Sequence, residues 1–264
     1  MRPIALVTGA SSGIGAVFAR RLARGGFDLV LVARRRERLE ELAREIASAH
    51  GAQAEVLAAD LAEDADCRRV AARAAGEERL EMLVNNAGFG TKGRFWEGDL
   101  ESQERMHRLH VTATLRLAYA ALPGMVRRGR GGIINVSSSA AFGRSPGNVS
   151  YCATKAWMNV FTEGLALELH NLGSPVRVQA LCPGFTWSEF HDTMGVDRSI
   201  VPASWWMKAE DVVEASLDGL EKGKIIVVPG WRYRFFAAFM GVLPFRLRFR
   251  LEARAFYRRD KLRR

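Results

Sequence analysis

Ile4-Ala5-Leu6-Val7 runs straight into Thr8-Gly9-Ala10-Ser11-Ser12-Gly13-Ile14-Gly15, and apolar residues then recur at helical spacing to about residue 24. A short apolar run that ends in a glycine-rich turn and opens an amphipathic segment reads as strand, turn, helix. Glycines at 9, 13 and 15 put no side chain between the backbone and a pyrophosphate, and the free amides and dipole of a helix N-terminus attract its negative charge. The turn therefore predicts a dinucleotide site. Its glycine spacing of four and two differs from the more general G-x-G-x-x-G, and such a turn can also serve tight packing alone. Its place directly behind the first strand favours binding.

Outward from this turn the same alternation continues. Strands are expected at Ile4–Thr8, Asp28–Ala33, Ala54–Ala58, Met82–Asn85, Ile133–Val136, Val176–Cys182 and Ile225–Val228, several of them continuously apolar as strands covered on both faces must be. Helices are expected around 14–24, 36–49, 63–75, 100–127, 152–170 and 209–221, with Gly25-Gly26, Gly51 and Gly173 where helices usually stop. Strand–helix repetition with right-handed crossovers predicts an α/β fold: one doubly wound, Rossmann-like parallel sheet with helices on both faces, in a single domain over residues 1–230.

With 264 residues, 48% hydrophobic and 26% charged, the chain has ordinary globular proportions. Three cysteines, Cys67, Cys152 and Cys182, cannot form a dense disulfide scaffold, and the N-terminus lacks the apolar length of a signal peptide, so a cytoplasmic location is expected. The net charge of +10 is not spread over the body. Residues 1–230 hold 28 Lys+Arg against 27 Asp+Glu, whereas residues 231–264 hold 11 against 2. A nearly neutral body argues against a polyanion footprint, and no nucleic-acid partner is expected.

The end of the second strand selects the cofactor, because an acid there would bond the adenine ribose and repel a 2′-phosphate. This chain has Ala33 followed by Arg34-Arg35-Arg36. Guanidiniums bind phosphate bidentately, so NADP(H) is preferred over NAD(H), with Arg34 as the chosen contact. The alternative is a solvated start to the second helix, pairing with Glu37, Glu40 and Glu41.

At this point the sequence resembles the short-chain dehydrogenase/reductase family, in which Thr-Gly-x-x-x-Gly-x-Gly occupies the first turn. The resemblance covers about residues 3–230. It implies that Thr8, Gly9, Ser11, Ser12, Gly13, Ile14 and Gly15 hold the cofactor. Asp60-Leu61 resembles the family's adenine contact, although Asp60 would equally suit a helix cap. Asn85-Asn86-Ala87-Gly88 resembles its Asn-Asn-Ala-Gly motif, with Asn86, Ala87 and Gly88 letting the backbone approach the cofactor.

Tyr151 and Lys155 stand one helical turn apart, so both side chains share a face. A free tyrosine has a pKa of about 10, and a neighbouring ammonium stabilises its phenolate and brings that value down. With Ser138 at the end of the Ile133–Val136 strand, the pair resembles the family's Ser…Tyr-x-x-x-Lys arrangement. That implies Ser138 bonding the substrate carbonyl, Tyr151 donating its proton, and Lys155 lowering the tyrosine pKa and holding the nicotinamide ribose; Ser137 and Ser139 are the bland choices. Cys152 and His191 read as packing or solvent residues, and no metal-ligand spacing is visible.

His110 departs from the family, which usually has there an asparagine holding a water beside the catalytic lysine. Imidazole could hold that water in the proton relay, or be satisfied inside the helix with no catalytic part. Pro183-Gly184 resembles the family's turn beside the nicotinamide, with Thr186 and Ser188 as carboxamide contacts and Ser188 where a threonine is common. The following segment 189–208 corresponds to the region that covers substrate. Its Phe190, Met194, Trp205, Trp206 and Met207 would form an apolar lid or fill core, and Phe89, Phe95 and Trp96 are similarly open.

The expected activity is hydride transfer between NADP(H) and a carbonyl or secondary alcohol, with a lipophilic or ketoacyl-type substrate. The alternative is a catalytically silent NADP-binding regulatory or scaffold protein, raised by His110. Membership of the family implies a homodimer or homotetramer. In the extension 231–264, the aromatic run Phe235–Phe245 is too short to span a bilayer and is set among arginines. It suits peripheral contact with an anionic membrane, or packing on the domain or a partner subunit.

Overall fold

The computed structural model describes residues 1–91, 93–190 and 201–261, and side chains as far as residue 254. His191, Met194 and the lid positions 191–200 lie outside the described residues. Seven strands, β1 (Ile4–Thr8), β2 (Asp28–Ala33), β3 (Ala54–Ala58), β4 (Leu80–Asn85), β5 (Gly132–Val136), β6 (Arg177–Leu181) and β7 (Ile226–Val227), form one sheet in the order β3-β2-β1-β4-β5-β6-β7. Every neighbouring pair is parallel. The chain winds outward from β1 to β3, crosses back, and winds outward again from β4. The order thus reverses between β1 and β4, and a crevice opens beyond their carboxyl ends.

Helices α1 (Gly13–Arg24), α2 (Arg36–His50), α3 (Asp64–Ala75), α4 (Leu100–His107), α5 (Thr114–Arg128), α6 (Val149–Asn171) and α7 (Ala209–Glu221) cover both faces of the sheet. On one face Phe18, Leu39, Ile46 and Val212 pack against Val7 and Leu31. On the other, Val70, Leu117, Met125 and Leu169 pack against Leu6, Leu83 and Ile133. Every residue of β1 and β5 is buried. A strand walled by helices on both sides has no solvent face, which is why these segments read as continuous apolar runs rather than alternating ones.

Two boundaries differ from expectation in ways that bear on chemistry. The helix expected over 100–127 is interrupted by a π-helical stretch, Arg108–Ala113, that carries His110. The helix expected from residue 152 begins at Val149, so Tyr151 lies in its first turn. A buried polar chain fixes this helix to the sheet. Asn85 Nδ2 donates to Asn135 Oδ1 at 2.8 Å, Asn135 Nδ2 donates to Thr162 Oγ1 at 2.9 Å, and the Thr162 hydroxyl donates to the Met158 carbonyl. These bonds tie α6 to β4 and β5, and the series ends at Asn85, whose buried Oδ1 has no hydrogen-bond partner.

The extension is not detached. Residues 231–261 form α8 (Trp231–Val242) and α9 (Phe245–Lys261), and Tyr233 and Met240 of α8 are buried against the body. Among the described residues no helix is long and apolar enough to cross a membrane.

Candidate active site

The first turn closes on itself before it meets any ligand. Gly9 and Gly13 have φ of 65° and 55°, in the left-handed region that favours glycine. A Cβ on Gly9 would stand 2.7 Å from Asn86 Nδ2, and one on Gly15 would stand 2.3 Å from the Gly9 carbonyl oxygen. Asn86 Nδ2 donates to the Thr8 carbonyl at 2.9 Å, and the Thr8 hydroxyl donates to the Val84 carbonyl while accepting from the amides of Asn86 and Ala87. Thr8, 1% exposed, thus clamps β1 to β4 from below and does not line the cleft. Gly9 and Gly15 are required by the protein's own packing, which adds a reason to the one read from sequence. Above this clamp the N-terminus of α1 has no side-chain cap and no acid in its first turn, so its amides and dipole are available to an anion.

The adenosine end of the cleft is arranged around two arginines. Arg34, highly exposed, approaches Asp60 at 3.8 Å. Arg35 is stitched to the first turn, donating to Ser11 Oγ at 3.0 and 3.2 Å and to Ser12 Oγ at 3.0 Å, and it pairs with Glu189 at 2.8 Å. The Glu189 carboxyl is held below its usual range mainly by this hydrogen bond. Asp60 does not cap a helix. Its Oδ1 accepts the Ala62 amide and its Oδ2 accepts Arg105 at 2.7 Å. Arg35, Arg105 and Glu189 were not singled out by the sequence, because which of three adjacent arginines faces the turn depends on the local backbone.

At the other end, Ser138, Tyr151 and Lys155 share the wall of the same cleft. Ser138 leaves β5 in extended conformation, its hydroxyl accepts the Ala140 amide at 3.1 Å, and it lines the same cleft as the Tyr151 phenol. Lys155 Nζ donates to the Val136 carbonyl at 2.8 Å and stands 5.7 Å from the centre of the Tyr151 ring. Ser137 spends its hydroxyl on the Lys155 carbonyl, and the Ser139 amide donates to the Pro183 carbonyl. Burial pushes Tyr151 up to about 12 and brings Lys155 down to about 7. The expected direction for the tyrosine is therefore reversed in this structure. Burial is the leading cause in both cases, because a dry wall disfavours the charged form of each group, and Lys155 is not among the groups that lower the tyrosine.

His110 is completely buried with both ring nitrogens engaged by protein. Nε2 accepts the Phe89 amide at 3.2 Å, which leaves the proton on Nδ1, 2.9 Å from Thr154 Oγ1; that hydroxyl in turn donates to the Tyr151 carbonyl. Burial first, then the charge of Lys155, holds its pKa well below the usual histidine value, so the ring is neutral. It stands edge-on to Tyr151 at 5.8 Å between centroids, and a Cβ on Gly88 would approach Nε2 to 2.7 Å. The geometry is that of a brace between the π-helical turn and the tyrosine helix, with no ring nitrogen left for a water. His110→Ala strands the Phe89 amide and is expected to lower unfolding free energy by about 1–3 kcal/mol. Urea denaturation checks this, and an unchanged midpoint and slope would contradict the brace.

Pro183-Gly184 turns out to be a seat for the extension. A Cβ on Gly184 would lie 1.9 Å from Tyr233 Cζ, and the Tyr233 hydroxyl accepts the Phe185 amide at 3.0 Å and donates to the Trp205 carbonyl at 2.8 Å. Thr186, buried, donates to the Gly184 carbonyl, and Ser188 donates to that of Thr186. The expected apolar lid divides. Phe190 and Trp205 line the cleft, Phe190 at 5.9 Å from the Tyr151 ring, whereas Trp206 is buried against Phe185 and Trp187 and Met207 packs on the core. Phe89 lines the cleft; Phe95 and Trp96 are exposed and do not. Sequence reasoning missed Phe236, Phe239, Met240 and Leu251 of the extension, which complete the wall.

The resulting cleft, about 1720 Å³, runs from Ser11, Arg34 and Arg35 past Leu61, Ala87 and Gly88 to Tyr151. Uncapped amides at one end, a narrow glycine floor and a proton donor at the other fit an extended dinucleotide. The family model for short chain dehydrogenase matches residues 3–198. The chain belongs to that family. An uncharacterized oxidoreductase of Myxococcus xanthus is 34% identical over 241 residues, 91% of this chain and 92% of that one. A short-chain dehydrogenase from Sphingobium yanoikuyae, solved in complex with NADPH, is 37% identical with a TM-score of 0.83, covering 92% of this chain and 97% of that one. A bulky-bulky ketone specific alcohol dehydrogenase from Comamonas testosteroni is 32% identical with a TM-score of 0.78, covering 92% and 95%. As a member of this family the chain is an oxidoreductase that uses a nicotinamide dinucleotide and acts on alcohol or carbonyl groups.

Proposed function

We propose that this protein reduces bulky, lipophilic ketones, ketoacyl compounds among them, with NADPH. The observation that carries the reading is one cleft with guanidiniums at one end and an apolar lining of Phe190, which contacts the Tyr151 ring, with Trp205, Phe236, Phe239 and Met240. The NADPH bound to the Sphingobium relative and the bulky ketones of the Comamonas relative support it.

When bound, the dinucleotide supplies the hydride. Ser138 orients the ketone by donating to its oxygen, and Tyr151 passes its phenolic proton to that oxygen as negative charge develops there. A phenol pushed up to about 12 is protonated across the physiological range, the form a reduction needs. Lys155, brought down to about 7 by burial, stabilises in its protonated form the phenolate left behind, and the aromatic wall excludes water that would compete for the proton. In the reverse direction the phenolate is the active form, so alcohol oxidation is expected to speed up steadily as pH rises toward 12 while reduction declines. Initial rates in both directions across alkaline pH check this, and a rise of the reduction rate with pH would contradict it.

Arg34 and Arg35 line the cleft and would hold a 2′-phosphate, each capable of a charge-assisted bond worth about 1.5–3 kcal/mol. Arg34→Ala is expected to weaken NADPH binding by about 10- to 100-fold at that energy, with NADH affinity nearly unchanged, whereas Arg35→Ala also releases Ser11 and Ser12 of the first turn and is expected to weaken both nucleotides. Fluorescence titration with both nucleotides measures it. Equal affinity of the unaltered protein for NADPH and NADH would overturn the preference.

A further inference from the structure

The two helices of the extension have an inward face already accounted for and an outward face that nothing in the described chain covers. On α8, Tyr233, Phe236 and Met240 face the body, while Trp231, Phe235, Phe239 and Val242 form a second, exposed stripe along the helix. Phe235 stacks on Phe239 at 6.1 Å, and on α9 the exposed Phe245 and Phe249 pair at the same distance. Guanidiniums border both stripes: Arg232 lies over the Trp231 ring at 4.9 Å, Arg248 lies over Phe245, and Arg234, Arg246, Arg250 and Arg254 are exposed. Glu252 is the lone acid over 231–254, and its carboxylate is turned inward to accept the Arg144 amide at 2.7 Å.

We propose that the outward faces of α8 and α9 dock on an anionic phospholipid bilayer. Exposed aromatics rimmed by cations match the boundary where acyl chains meet acidic headgroups. A helix of twelve residues rises about 18 Å, short of the roughly 30 Å hydrocarbon core, so α8 lies in the surface plane. A second copy of this chain is the poorer occupant, because a two-fold contact through these faces would oppose arginines to arginines. Phe239 is exposed and also lines the cleft that holds Tyr151, so the docking face is continuous with the cleft's lining. A lipophilic ketone could leave the bilayer and reach the phenol over apolar contacts. The docking itself goes beyond the proposed reduction and does not depend on it.

The test is co-sedimentation of the full chain with vesicles of phosphatidylcholine, with and without phosphatidylglycerol. Binding is expected to the anionic vesicles and to fall as salt is raised. Arg246→Gln and Arg250→Gln should each weaken it by about five-fold, and Phe235→Ser with Phe249→Ser by about tenfold or more. None of these four residues lines the cofactor cleft, so NADPH affinity should be retained. Equal binding to both vesicle types, binding to neither, or a tail-mediated dimer that Phe235→Ser dissociates would overturn the proposal. The two-vesicle comparison on unaltered protein decides the matter even where a variant fails to fold.

Discussion

Tyr151→Phe is expected to lower the rate of ketone reduction by about 10²- to 10⁴-fold, the usual worth of a positioned general acid, while NADPH affinity stays nearly unchanged. The substitution removes one oxygen. The ring keeps its edge contact with His110 and its contact with Phe190, and the backbone carbonyl still accepts Thr154, so the helix that carries Lys155 is undisturbed. The group lost is the phenol proton beside Ser138, which no described neighbour in the cleft replaces: Ser137 is committed to the Lys155 carbonyl, His110 has both nitrogens bonded, and Lys155 is held by Val136. Reduced-nicotinamide absorbance gives the rate and nucleotide titration gives the affinity. A variant that keeps most of the rate would place the proton donor elsewhere.

The second large effect is expected at Gly184. Alanine there puts a methyl 1.9 Å from the Tyr233 ring, which cannot slide away without giving up its bonds to the Phe185 amide and the Trp205 carbonyl. Overpacking of this kind costs about 1–3 kcal/mol or more, and the strain falls on the join between α8 and the cleft wall. Gly184→Ala should therefore lower the melting temperature and raise KM for bulky ketones. Adding Tyr233→Ala should recover part of the loss, because the two changes share one contact and will not add. Thermal unfolding of the two single variants and the double variant checks this, and strict additivity would show that Tyr233 does not sit on Gly184.

Much of this was legible before the structure because burial leaves a mark on sequence. Strands β1 and β2 were legible because their buried runs 4–7 and 29–32 are continuously apolar, as helices on both faces require, while the edge strand β3 was legible by its place between helices although Glu55 is exposed within it. Gly9, Gly13, Ser138, Tyr151 and Lys155 could be placed because each follows a strand end or lies one turn from its partner. The π-helical stretch around His110 was not legible, because six residues are too few for apolar spacing to separate it from an α-helix. Nor was the seat of Tyr233 on the Pro183-Gly184 turn, where forty-eight residues separate Tyr233 from Phe185 and the pattern between them carries no sign of the contact. Charge at a strand end is readable and points to Arg34, whereas the side-chain direction that brings Arg35 to Ser11 and Ser12 is set by the turn. The direction of the tyrosine pKa was not legible for a related reason: spacing shows that an amine is near, but not how dry the wall around it is.

Isotope transfer from NADPH carrying deuterium on the reactive face of its nicotinamide tests the central claim most directly. With a bulky aryl or acyl ketone, the account predicts an alcohol labelled at the carbinol carbon, formed in step with loss of the reduced nicotinamide. Nucleotide that binds tightly in the cleft yet yields no labelled alcohol from any ketone in a panel running from short to long chains would contradict it.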